Sequence, residues 1–111
     1  MTPGMLELLS SRFKVLAESA RLQILSLLRN EELTVGALVE RSGLGQANVS
    51  KHLKLLHSNG FVARRKVGLF VYYSLADASV FRLCETMCGR VEAELEARQK
   101  VLAGSSLSRP L

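Results

Sequence analysis

Apolar residues recur at helical spacing over most of the chain, and one segment breaks that period. Amphipathic helices are predicted over 5–17, 20–29, 34–41 and 45–58. Ser19 and Thr34 are the candidate N-caps of the second and third helices, and Asn59-Gly60 ends the fourth in a pair that tolerates positive φ. The segment 61–75 has β-branched and aromatic residues around a glycine turn, which predicts a β-hairpin.

The helical pattern returns at residue 77 and continues to about Leu102. At 1.5 Å per residue this last helix is about 39 Å long, more than a domain of this size needs for its own core. We therefore interpret its apolar stripe as a surface for a second copy of the chain. Residues 1–103 are expected to form one domain, and the glycine- and serine-containing segment 104–111 a flexible tail.

The net charge is +5, and the basic residues are concentrated in the middle of the chain. Between Arg41 and Ala76 there is no acidic residue, whereas acids and bases nearly balance on either side. The six bases of this block are Arg41, Lys51, Lys54, Arg64, Arg65 and Lys66. Such a block indicates a surface for a polyanion such as nucleic acid, with an ordinary solvated face as the alternative.

The order of elements predicts a mainly α fold of the winged helix-turn-helix type, with five helices and two antiparallel strands. The third and fourth helices form the helix-turn-helix, and the basic hairpin that follows is the wing. The exposed face of the fourth helix carries side chains with hydrogen-bond donors, which suit phosphates and base edges: Gln46, Asn48, Ser50, Lys51, His52 and Lys54. Lys66 extends the same basic surface into the wing beside Arg64 and Arg65.

Over roughly residues 6–100 the chain resembles the ArsR/SmtB family of bacterial repressors. The matching segments are Phe13-Lys-Val-Leu-Ala, Ala20-Arg-Leu-Gln-Ile-Leu, Glu32-Leu-Thr-Val-Gly-Ala-Leu, Leu44-Gly-Gln-Ala-Asn-Val-Ser-Lys-His-Leu-Lys-Leu-Leu and Val71-Tyr-Tyr-Ser-Leu. The resemblance implies a homodimer, paired through its first and last helices, that binds an imperfect palindrome in double-stranded DNA and leaves it when an inducer binds. The expected dimer seam contains Phe13, Val80, Met87, Val91 and Leu95.

The resemblance also assigns positions that read DNA. They are Gln46, Asn48, Ser50, Lys51 and His52 on the fourth helix, and Arg64 and Arg65 in the wing. Gln46 and Asn48 can each make two hydrogen bonds to adenine, whereas Ser50 and Lys51 suit phosphates or groove edges. For His52, a histidine hydrogen-bonded inside the dimer is the alternative to one that touches DNA.

The metal sites of the family lack their ligands here. Where metal sensors carry a Cys-Val-Cys-like run at the third helix, this chain has Thr34 and Gly36. Where zinc sensors carry ligands on the last helix, it has Asp77, Ser79, Arg90 and Ala93. A single carboxylate cannot make a four-ligand zinc site, so we expect neither a zinc site nor a cofactor.

Cys84 and Cys88 lie four residues apart on the last helix and are the candidate sensor thiols. Their segment resembles the last helix of the family's persulfide and thiol-redox sensors, but the second cysteine of those sensors is replaced by Ser26. Cys84 is therefore the available partner for Cys88, either within the chain or across the dimer axis. The alternatives are that both cysteines only pack the dimer seam, which leaves a constitutive repressor, or that they bind a soft metal or an arsenical with a third ligand.

Other classes of function are disfavoured. The chain has no glycine loop for phosphates and no Ser/His/Asp set, so we do not expect an enzyme. A winged helix that binds a protein partner has no need of an acid-free basic block. No apolar run reaches the ~18 residues of a membrane span, and the first residues lack the pattern of a secretory signal. We expect a cytoplasmic protein.

Overall fold

The computed structural model describes the backbone of residues 1–108 and the side chains of residues 1–103. The chain divides into two compact units, Met1–Ala78 and Ser79–Leu111. Its elements are α1 (Pro3–Leu16), α2 (Ser19–Leu27), β1 (Leu33–Thr34), α3 (Val35–Ser42), α4 (Gln46–Ser58), β2 (Val62–Val67), β3 (Phe70–Leu75) and α5 (Ser79–Ser108). Within the described residues the five helices and the β2–β3 hairpin confirm the predicted fold class.

The first two helices begin at residues other than those predicted. Because Thr2 caps α1 by accepting a hydrogen bond from the Met5 amide at 3.2 Å, and Pro3 suits the first turn, α1 starts two residues early. Ser19 is not the N-cap of α2 but its first residue. Glu18 is the cap, and its carbonyl accepts the amide of Arg21 while its side chain pairs with the Arg21 guanidinium.

The sheet of the first unit has three strands, in the order β1-β3-β2, with both pairs antiparallel. The hairpin was predicted, but β1 was not, since two residues are too short to show an alternating pattern. Leu33 lies opposite Tyr73 and Thr34 opposite Tyr72. This short strand ties the chain just before α3 to the base of the hairpin.

The core of the first unit follows the helical stripes predicted from the sequence. Its fully buried side chains include Ile24 of α2, Leu38 of α3, and Val49, Leu53 and Leu56 of α4. Since α4 contributes three of these residues, its orientation is fixed along its whole length, and its opposite face is held towards solvent.

The second unit is the single helix α5, which exposes an apolar stripe. Met87, Val91 and Leu95 are each between 44% and 65% exposed. Val80, also assigned to the dimer seam, is only 7% exposed, so it offers far less surface to a partner than these three residues do.

The last helix also runs further than predicted. It is helical through Ser108 instead of ending near Leu102. The predicted tail, 104–111, is therefore helical along its backbone up to Ser108, and 109–111 lie outside the described residues.

Substitutions at two glycines of the helix-turn-helix test the left-handed backbone conformation at the end of α3. Gly43 has a φ of 75° and Gly36 lies inside α3, and neither would meet a close contact if a Cβ were added. Gly43→Ala should lower the free energy of unfolding by about 1–2 kcal/mol, because only glycine adopts a left-handed φ without strain. Gly36→Ala should raise it by about 0.5 kcal/mol, because alanine favours a helix. Urea unfolding followed by circular dichroism measures both; equal effects would contradict the left-handed turn.

Candidate nucleic-acid interface

The helix-turn-helix is formed by α3 and α4 and the three residues between them. Thr34 begins α3 by accepting a hydrogen bond from the Ala37 amide at 3.2 Å, as predicted. Gly43 ends α3 in the left-handed conformation, and the Leu44 amide donates to the Ser42 hydroxyl at 3.1 Å. The Gln23 side chain of α2 also donates to the Ser42 carbonyl at 3.2 Å, so local bonds and one contact from α2 together fix the turn.

The exposed face of α4 brings together most of the predicted DNA-reading residues. The side chains on it are Gln46, Asn48, Ser50, Lys51 and Lys54, all exposed. Neither α4 nor the hairpin contains an acidic residue. The face is therefore a row of amide, hydroxyl and ammonium donors, which is the chemistry that base edges and phosphates accept.

His52 does not belong to this face. It is 7% exposed, and an N–H of Arg21 reaches its Nδ1 at 3.4 Å. A guanidinium can only donate, so Nδ1 is the acceptor of this contact. The assignment of His52 to the DNA-contacting surface was wrong in this structure, because the residue lies on the buried stripe of α4 together with Val49, Leu53 and Leu56.

Arg21, which lies in one of the matching segments but was given no role there, holds this part of the fold together. Besides His52, its guanidinium donates to the Val15 carbonyl at 2.6 Å and pairs with Glu18 at 2.7 Å. Its side chain is only 12% exposed. Arg21 therefore joins the end of α1 and the start of α2 to the interior side of α4.

The wing, residues 62–75, has two faces that carry different basic residues. Side chains alternate along a strand, so Val62, Arg64 and Lys66 share one face of β2, here called the inner face. Val62 is 2% exposed and marks this as the face that continues the core. Arg65 lies on the opposite, outer face, so the three predicted wing cations do not act as one cluster.

On the outer face Arg65 is bound to an acid from outside the basic block. Its Nε and Nη2 donate to the two carboxylate oxygens of Glu32 at 2.7 and 3.2 Å. The same guanidinium lies 5.7 Å from the centre of the Tyr72 ring. Arg41 likewise pairs with Glu31, the neighbour of Glu32. Among the described residues, Arg41 and Arg65 are the two bases of the basic block that form ion pairs. No ion pair is formed there by the other four bases of the block, Lys51, Lys54, Arg64 and Lys66.

The tip of the wing is a two-residue turn. Gly68 has a φ of 60°, Leu69 a negative φ, and Val67 pairs with Phe70, as in a type II′ hairpin turn. The predicted glycine turn is thus confirmed. Leu69 is 96% exposed, so the end of the wing is apolar although its inner face is basic.

The two cysteines differ in their surroundings. Cys84 is half-buried and Cys88 is exposed, and both are free thiols on α5. Burial, and then the neighbouring Cys88, raise the pKa of the Cys84 thiol. Cys84 is therefore less readily ionised than an ordinary thiol, and the exposed Cys88 is the thiol that solvent-borne reagents reach first.

Metal ligands and membrane-spanning segments are the remaining features that bear on function. Among the described residues, no cluster of three or more His, Cys, Asp or Glu side chains is arranged to hold a metal ion. No helix in that part of the chain combines the length and apolar character that crossing a bilayer requires.

Comparison with known proteins identifies relatives of this arrangement. Residues 18–64 match the family model "Bacterial regulatory protein, arsR family". The chain is 39% identical over 74 residues to the transcriptional activator HlyU of Vibrio cholerae, covering 67% of this chain and 68% of that protein. It is 41% identical over 71 residues to the transcriptional repressor SmtB homolog of Synechocystis, covering 64% of this chain and 54% of that protein.

A solved structure agrees over a longer stretch. The homodimeric winged helix-turn-helix DNA-binding domain Mb0332 of Mycobacterium bovis superposes with a TM-score of 0.75 at 33% identity, covering 85% of this chain and 87% of that one. The match therefore includes the helix-turn-helix and most of the elements around it. With its basic wing and its helix-turn-helix, the chain belongs to the arsR family of bacterial regulatory proteins.

Proposed function

We propose that this protein is a transcription regulator that binds a palindromic DNA operator as a homodimer. The observation that carries the proposal is the acid-free donor face of α4 beside the basic inner face of the wing. In such a complex α4 enters the major groove, where Gln46 and Asn48 meet base edges. Ser50, Lys51, Lys54, Arg64 and Lys66 then meet the phosphates.

The exposed apolar stripe of α5 supports the dimer. Met87, Val91 and Leu95 repeat every four residues on one side of the helix, and solvated apolar stripes of this length are unusual in monomers. On α1, Phe13 is 45% exposed. The Mycobacterium bovis neighbour, which shares this fold, is a homodimer. The proposed dimer of this chain pairs through its first and last helices, α1 and α5.

Repression is the proposed outcome of operator binding. One of the relatives described above is an activator and the other a repressor, so kinship alone does not choose between them. A dimer that covers about two turns of a promoter excludes polymerase directly, whereas activation needs an additional contact. A reporter gene fused to the promoter that contains the operator distinguishes repression from activation. Deletion of the gene for this protein should raise expression of the reporter.

Thiol chemistry on α5 is the proposed inducing signal. The exposed Cys88 attacks a peroxide to give a sulfenic acid and water, or a polysulfide to give a persulfide and a shortened polysulfide. Cys84 then attacks the Cys88 sulfur, which forms the disulfide and expels water or sulfide. The reagent takes up the two electrons that the two thiols lose with their protons. Residues four apart on a helix have Cβ atoms about 5–6 Å apart, whereas a disulfide needs about 3.5–4.5 Å. The bridge therefore strains α5 unless it is lengthened by further sulfur atoms.

A constitutive repressor is the second candidate. The raised pKa and half-burial of Cys84 are also what a cysteine used only for packing shows. The response to thiol reagents, tested below, decides between the two.

The first prediction concerns the phosphates. Operator affinity should fall steeply with salt, because each neutralised phosphate releases counterions. Arg64→Ala should weaken binding to every sequence and flatten the plot of log K against log salt by about 0.9 for each phosphate that is no longer neutralised. Fluorescence anisotropy titrations over a series of salt concentrations measure this, with Lys100→Ala, on the side of α5 opposite the apolar stripe, as a control of equal charge change. A slope unaltered by Arg64→Ala would remove the wing from the interface.

The second prediction concerns the bases. Gln46→Ala should reduce the preference for operator over random DNA by about 1–3 kcal/mol, because it removes a two-bond contact to a base edge. The salt slope should stay the same, since the substitution leaves the charge unchanged. Gln99→Ala, on α5, is the matched control. Competition titrations with operator and scrambled duplexes give the ratio, and an unchanged ratio would place Gln46 away from the bases.

The third prediction concerns the thiols. Treatment with polysulfide or peroxide should lower the operator affinity of the wild type, and a hundredfold loss corresponds to about 2.7 kcal/mol. Cys84→Ser and Cys88→Ser should bind like the reduced wild type under all conditions. Gel-shift titrations under reductant, peroxide and polysulfide provide the comparison. Equal binding of all forms under all three conditions would leave the constitutive repressor.

A further inference from the structure

We infer that Glu32, Arg65 and Tyr72 form a clamp that positions the wing, and that Arg65 acts through this clamp instead of contacting DNA. The inference rests on the proposed function, since positioning matters only if the wing binds DNA. It reassigns Arg65, which the sequence placed among the DNA contacts, and makes Glu32 a positioning residue for DNA binding although it carries a negative charge.

The geometry of the ion pair is the first support. Both carboxylate oxygens of Glu32 accept from Arg65, at 2.7 and 3.2 Å, which is the fork arrangement that a guanidinium makes and an ammonium cannot. The Tyr72 ring lies beneath the guanidinium, 5.7 Å from its carbon to the ring centre. Two kinds of contact therefore hold one side chain in one place.

The position of the three residues in the sheet is the second support. Arg65 on β2 lies opposite Tyr72 on β3, and Tyr72 lies opposite Thr34 on β1. Glu32 immediately precedes β1. The ion pair thus spans the whole width of the sheet and connects both edge strands across the central one.

The clamp compensates for the weak attachment of the β2–β3 hairpin to the rest of the domain. A two-stranded ribbon is marginally stable by itself, and β1 adds only two residues to it. Most of the hairpin is exposed, with Val62 the one residue of β2 that is buried. An additional tie between the ribbon and the segment before α3 therefore limits the directions in which the ribbon can point.

The alternation of side chains gives this tie its functional meaning. Because Arg65 is held on the outer face, Arg64 and Lys66 are fixed on the inner face, where Val62 joins the core. The Arg65 guanidinium also holds the pKa of the Glu32 carboxyl below its ordinary value, so the clamp is charged at neutral pH. Arg65 thereby fixes the face of the wing on which Arg64 and Lys66 lie.

The experiment compares operator affinity, salt slope and wing order in five variants. Glu32→Gln, Arg65→Gln and Arg65→Lys each break the fork, and Arg65→Lys does so at constant charge. The exchanged pair Glu32→Arg with Arg65→Glu restores it at constant net charge. Glu31→Gln is the matched control, since it removes the neighbouring carboxylate, which pairs with Arg41 on α3 instead of with the wing.

The three clamp-breaking variants should weaken operator binding about fivefold, the effect of about 1 kcal/mol at 25 °C. Their salt slopes should remain near that of the wild type, because the number of neutralised phosphates does not change. The exchanged pair should bind within about twofold of the wild type, a coupling that a double-mutant cycle quantifies. Glu31→Gln should not weaken binding, since removal of an acid near DNA by itself favours association.

Hydrogen exchange of the amides of residues 62–75 without DNA supplies a readout independent of the operator. Exchange should be faster in the clamp-breaking variants and return to the wild-type rate in the exchanged pair. Three results would overturn the inference: unaltered exchange in Arg65→Gln, tighter binding with a steeper salt slope in Glu32→Gln, or full activity of Arg65→Lys with a flattened slope in Arg65→Gln. The last two would show that Arg65 meets a phosphate. If the wild type bound no DNA, the proposed function would fail, and the exchange rates would still decide whether the clamp exists.

Discussion

The buried stripe of α4 is the constraint on which the rest of the interface depends. Val49, Leu53 and Leu56 have no exposed surface, and Leu38 of α3 is equally buried. Burying a leucine side chain stabilises a fold by about 1.5–3 kcal/mol, so a rotation of α4 that exposed this stripe would cost more than a small domain can lose. The polar face is therefore presented to solvent by default, and the donors on it need no bonds of their own to hold them there.

Much of this arrangement follows from local pattern. The period of the apolar residues predicted the helices, Thr34 and Gly43 set the ends of α3, and the glycine at the wing tip marked the hairpin. His52 was also within reach of such reasoning, because it stands three residues after Val49 and four before Leu56, on the buried side. It was misassigned since the position was judged by its polar chemistry instead of its place in the helical period.

The remainder could not be read from local pattern, for physical reasons. Two residues of β1 carry no period, and they become a strand only because β3 offers a partner. The bond between Arg21 and His52 and that between Arg65 and Glu32 join residues 31 and 33 positions apart. An acid-free stretch of sequence is thus not an acid-free surface: the fold returns Glu31 and Glu32 to it, and two of its six bases are neutralised.

The two-faced wing also limits how this chain can change in evolution. β2 tolerates many substitutions, since five of its six side chains are exposed, whereas five of the six in β3 are half-buried. A single-residue insertion or deletion ahead of Arg64 is different, because it moves every following side chain to the other side of the ribbon. The arginine that had been paired would then face inwards and its neighbours outwards. The number of residues in this hairpin therefore constrains its function more strongly than their identity does at the exposed positions of β2.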